Sequence, residues 1–197
     1  MKSNVCKINK GVKDLEAILK ESEMVANYNG LSHKQALQLR LICEEMDGML
    51  PKIIDDFDGE FWIDFEDGVC KVNAVVNFEE FTAKKKQELI SVSKNKKNAA
   101  ATGIVGKIRS VIEDFFLDEE GAQTGGAAEG FCHMPTQYSL GFHYSYYWSL
   151  GEYKTNVKNK EEACDELEKS IIASIADDVI VGVKGRQASI VVIKKFA

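Results

Sequence analysis

The sequence predicts an α+β fold, a two-layer α/β sandwich in which a mixed sheet is covered on one face by helices. Three observations predict it. Leu39, Ile42, Met46 and Met49 recur at three- and four-residue steps, the spacing of one helix face. Asp67-Gly68 joins two apolar-rich runs, the dipeptide that best suits a two-residue hairpin. "YSLGFHYSYYWSL", Tyr138 to Leu150, alternates strictly, which is the period of a strand. With 197 residues and 45% hydrophobic composition, the chain can build one core. A single domain over 1–197 is expected, with a glycine-rich insertion at about 118–136.

The elements follow in order. Asn4 to Ile8 suits a short strand, and Val12, Leu15, Ile18, Leu19 and Val25 predict a helix over 12–26, ended by "NYNG". Ser32 and Gln35 form an S-x-x-Q capping box, so a second, long helix begins at Ser32. Its core face is the Leu39 to Met49 stripe. Glu44 lies about 200° round from Ile42, on a second face with Arg40, Leu41, Asp47 and Gly48 nearby. Pro51 and "DDFDG" stop the helix. Strands are expected at Glu60 to Glu66 and Val69 to Phe78, then a short amphipathic segment from Thr82 to Ser91. A basic loop leads into a helix on Ile104, Ile108, Val111, Ile112 and Phe115. After the glycine-rich loop come the aromatic strand, a helix over Glu161 to Ala176, and a closing hairpin around Lys184 to Arg186.

Composition narrows the function classes. A net charge of −6 and a pI near 5.2 argue against general nucleic-acid or anionic-membrane binding, which needs a basic face. Met1 to Lys10 has no apolar signal core and no run approaches the roughly 20 apolar residues of a membrane span. A cytoplasmic protein is the expectation. The five cysteines are scattered and include no C-x-x-C, so they read as reduced thiols; Cys132, His133 and His143 match no standard metal spacing. The segment Lys84 to Arg109 carries eight basic residues against one acid, a net of +7 that leaves −13 for the rest. Such polarity suits a phosphate-bearing ligand or an acidic partner. Exposure of part of the aromatic strand would mark a dimer or partner contact.

Several segments together resemble the GHKL superfamily of ATP-binding domains, nearest to the anti-sigma-factor serine kinases. They are "NYNGLSHKQALQLRLICEEMDGML", "ATGIVGKIRSVIEDFF" and "DDVIVGVKGRQASIVVIKK". The resemblance implies a cytoplasmic regulatory protein that binds ATP and Mg²⁺ and acts on a protein partner in signalling or transcription control. It assigns Glu44 to positioning the attacking water or hydroxyl. The family's magnesium-holding Asn, four residues on, is Gly48 here, and Asp47 would supply a hard oxygen instead. Asn77 stands where the family's Asp-x-Gly-x-Gly motif contacts adenine, without the glycines. Thr102, Gly103, Gly106 and Lys107 would cradle the phosphates at a helix start. Two functions are therefore expected: γ-phosphoryl transfer or hydrolysis, or a non-catalytic protein-interaction module that has lost the nucleotide.

Overall fold

The computed structural model describes residues 1–10, 15–54, 56–78, 103–121, 146–156 and 170–196. Strand β1 (Cys6–Asn9) leads to helices α1 (Leu15–Tyr28) and α2 (His33–Ile53), then to strands β2 (Asp58–Glu66) and β3 (Val69–Asn77). Helix α3 (Gly103–Gly121) follows, with β4 (Tyr146–Ser149), α4 (Leu150–Asn156), α5 (Ile171–Ile175), β5 (Asp178–Lys184) and β6 (Gln187–Lys195) completing the described elements.

Local signals account for most boundaries. The Ser32 hydroxyl accepts from the Gln35 amide while the Gln35 side chain accepts from the Ser32 N–H, so the capping box is formed and α2 starts there. Pro51 lies inside the last turn and the helix ends at Ile53. The β2–β3 turn places both Asp67 (φ 49°) and Gly68 (φ 76°) in the left-handed region that a tight hairpin between right-twisted strands requires.

The sheet has the order β1-β2-β3-β6-β5-β4. The expected mixed sheet is corrected here, because every described strand pairing is antiparallel. Both hairpins are antiparallel by construction, and the longer-range pairs β1 with β2, β3 with β6 and β4 with β5 also run antiparallel. One layer of helices packs on one face, as expected. Phe61 and Ile63 of β2, Val72 of β3 and Ile190 of β6 meet Leu39, Ile42 and Met46 of α2 in a single buried core. Helix α1 touches the sheet at β2, whereas α3 touches it at β4 and β5. Helix α2 lies between them and packs against both.

Two predicted elements differ in extent. Within the described residues the aromatic strand covers 146–149 and stops before Leu150. Asp178 accepts from the Ser149 hydroxyl (3.0 Å) and the Gly151 amide (2.9 Å), which turns the chain into α4. Trp148 and Leu150 join the helix-side core while Tyr147 faces the other way, so alternation placed these side chains correctly. The helix expected over 161–176 is not continuous, because Ser170 is extended (φ −102°, ψ 123°) and caps a short α5. Residues 161–169, 138–145, the segment 82–91 and the glycine-rich loop lie outside the described residues.

Candidate functional site

The residues singled out for nucleotide chemistry do not all lie on one side of the sheet. Glu44 accepts from Arg40 Nε at 3.1 Å, and the same guanidinium donates to Glu23 of α1 at 2.8 Å. Glu44 therefore stands beside an ion pair that ties α2 to α1. Asp47 is half-buried one turn along the Arg40 flank. A side chain added at Gly48, the position of the family's Asn, would meet open space.

The presumed phosphate cradle is on α3. Gly103 opens the helix with φ 79°, a conformation that disfavours any side chain, and Gly106 is buried. The Lys107 ammonium sits 5.0 Å from the centre of the Tyr153 ring, on α4. Thr102 lies outside the described residues. Asn77 lies across the sheet from Glu44 and Lys107, because strand alternation directs Val76 to the helix-side core and Asn77 to the opposite face. The sheet thus stands between Asn77 and Glu44. Asn77 is thereby parted from the helix-borne positions, and among the described residues no group of three metal-ligating side chains occurs.

What the fold does assemble is a polar surface on that second face. Antiparallel registers align Asn9, Asp58, Asn77 and Gln187 in one row across β1, β2, β3 and β6. The row is bonded side chain to side chain: Asn77 Nδ2 donates to Asp58 Oδ2 at 3.3 Å, and Gln187 Nε2 donates to Asn77 Oδ1 at 3.1 Å. Lys7 pairs with Glu60 one row along. Together these side chains and Val75 line a groove of about 420 Å³.

Farther along β2 the same face carries an aromatic anchor. Asp64 Oδ2 accepts from Trp62 Nε1 (2.8 Å) and from Asn73 Nδ2 (3.1 Å), and the Lys2 ammonium lies 4.7 Å above the indole. Asn73 is 2% exposed, so its amide needs these partners; it also donates to the Lys71 carbonyl at 2.9 Å. Across β6, β5 and β4 the face turns apolar, with Tyr147, Ile180, Val191 and Ile193 in a small buried cluster. The polar phase of "DGEFWIDFE" was visible in the sequence, but Asn73 and Gln187 become part of one surface only through strand pairing. Sequence reading did not select Trp62, Asp58 or Gln187.

Two thiols on the helix side have no access to this surface. Burial pushes Cys70 up to about 12, with the nearby Asp64 charge adding to it, and burial likewise raises Cys43 well above its ordinary value. Both stay protonated and inert at neutral pH.

The arrangement defines a layered α+β protein whose sheet face opposite the helices is polar and grooved at one end, across β1, β2 and β3, and apolar across β5 and β4. No protein-family model, curated protein or solved structure matches the chain. No described helix is long and apolar enough to cross a membrane.

Proposed function

We propose that this chain is a non-catalytic protein-interaction module that contacts its partner through the second face of the sheet. The position of Asn77, across the sheet from Glu44 and Lys107, supports this reading. A phosphoryl-transfer site needs its base, its metal ligand and its phosphate donors within a few ångströms of one triphosphate. Glu44 is instead held by Arg40 in a link between α1 and α2. The second face supports the binding role: Trp62 offers a rigid aromatic anchor, and the amide row offers donors and acceptors around a groove. The partner class is a protein, in keeping with the regulatory role that the resemblance implies.

One observation favours the alternative of an ATP-binding regulator. Gly103 enters α3 in the left-handed region, with buried Gly106 and the cation of Lys107 close behind, which is a backbone suited to an anion. A thermal-unfolding titration with Mg-ATP separates the two. A nucleotide at 100 times its Kd would stabilise the fold by about 2.7 kcal/mol, whereas the interaction module gives no shift. Saturable stabilisation, with ATP turnover abolished by Glu44→Ala, would overturn the module reading.

A further inference from the structure

The groove on the second face of the sheet holds one charge that nothing in the fold answers. It is lined by Lys7 of β1, Asp58 and Glu60 of β2, Val75 and Asn77 of β3, and Gln187 of β6. Lys7 is committed to Glu60, which it meets through Oε1 alone. Asp58 accepts one side-chain bond, and that comes from a neutral amide, Asn77 Nδ2, at 3.3 Å. Among the described residues no lysine or arginine pairs with it. Two carboxylates against one ammonium leave the groove with one negative charge over.

That carboxylate is held ready. Gln187 Nε2 donates to Asn77 Oδ1 at 3.1 Å and Asn77 donates in turn to Asp58, so the chain of bonds runs in one sense across three strands and ends on the charge. The ladders that join β2, β3 and β6 fix the backbones beneath it. A group ordered in this way loses little further freedom when it binds. What it leaves open to a ligand are acceptors: the second oxygen of Asp58 and the second oxygen of Glu60, on side chains about 7 Å apart along one strand.

The chemistry of the occupant follows. An anion would be repelled, and an apolar group would strip Asp58 of water without replacing the lost bonds. A divalent cation would need more ligands than the groove offers. A cationic side chain meets both needs. A guanidinium suits the place better than an ammonium, because its flat fork spans both oxygens of one carboxylate, keeps donors for a second, and is less strongly hydrated. Its methylene stem can lie along Val75. At about 420 Å³ the groove is near the small end of ligand pockets, which suits a single long side chain. We propose that this groove receives an arginine of the partner protein, with the guanidinium on Asp58 and Glu60; the proposal rests on the assignment of the second face to partner binding.

The probe is acetyl-arginine methylamide, titrated into the ¹⁵N-labelled full chain while the side-chain amide signals of Asn77 and Gln187 are followed. Saturable shifts at both are expected, with a Kd on the order of 1–10 mM for so small a probe. The citrulline analogue, of the same shape without the charge, gives none, and the lysine analogue binds about threefold more weakly or worse. Asp58→Asn keeps the shape of the groove and weakens arginine binding about tenfold or more at unchanged melting. Absent shifts at Asn77 and Gln187, equal binding of the citrulline analogue, or unaltered binding by Asp58→Asn would overturn the proposal. A lysine analogue that binds as tightly would overturn the choice of guanidinium. The two readings fail separately: a silent groove removes the arginine and leaves the face as a contact surface, whereas the Mg-ATP titration decides the module reading without reference to Asp58.

Discussion

Gly59→Ala tests the packing that holds the candidate surface together. Gly59 faces Ile8 on β1 and Val76 on β3, at the end of the sheet where the amide row lies. A Cβ placed on it would lie 2.3 Å from the Val75 carbonyl oxygen and 3.0 Å from Val76 Cα. Both obstacles are backbone, so no rotamer change relieves them; β2 and β3 must separate locally. Overpacking of this kind costs about 1–3 kcal/mol, and one weakened ladder hydrogen bond adds about 1 kcal/mol. Loss of glycine's freedom in the unfolded chain returns about 0.4–1 kcal/mol. The net is a destabilisation of about 2 kcal/mol. Urea unfolding followed by tryptophan fluorescence should show the midpoint fall by roughly 1 M at an unchanged slope of about 2 kcal/mol/M. Gly48→Ala is the matched control. Its added methyl enters open space on a helix, so the same chemical change should stabilise by about 0.5–1 kcal/mol. Equal stability of Gly59→Ala and the parent would refute the close approach of β2 and β3. A loss of stability in both variants would refute the packing argument as a whole.

Four other outcomes follow from the described contacts. Ser32→Ala removes the α2 cap and should cost about 1 kcal/mol in urea unfolding, with little change in the folded-state spectrum. Asn73→Ala strips buried acceptors on Asp64 and Lys71 of their donor; a loss of about 1–3 kcal/mol is expected, and double-mutant analysis with Asp64→Ala should show the two effects to be non-additive. Cys70 has its thiol pKa raised from 9.0 to about 12, so the folded state retains a proton that the unfolded chain releases. The stability it contributes is whole below about pH 9 and declines as pH rises towards 12; Cys70→Ala should flatten that decline. Peptide mapping after alkylation at pH 8 should find half-buried Cys6 modified well before Cys43 or Cys70.

How much was legible in the sequence depends on how local each cause is. The start of α2 could be read at Ser32 because a capping box spans four residues, and the β2–β3 hairpin because Asp67 and Gly68 need no distant partner. The core stripe Leu39, Ile42, Met46 and Met49 was readable because helical period alone selects it. Glu44 shows the limit. Its place on the outer flank of the helix followed from the same wheel, but which neighbour that flank would face did not. Arg40 was visible four residues earlier, whereas Glu23 of α1, the group that fixes the direction of the pair, is supplied by a different helix. Asn77 shows the limit for strands. Alternation separates the two phases of β3 without saying which phase the helices cover.

The sequence by itself determined the start and core stripe of α2, the β2–β3 and β5–β6 hairpins and the α+β class, because those depend on interactions within about one turn of helix or one hairpin. Only the tertiary structure decided that the sheet is antiparallel throughout, that α2 lies between α1 and α3, and that Asn9, Asp58, Asn77 and Gln187 stand in one row. Those outcomes rest on pairings between residues far apart in the chain, such as the bond that joins Asn77 to Gln187 across 110 positions. Such a pairing is chosen by the packing of the whole core and leaves no periodic trace in either segment alone.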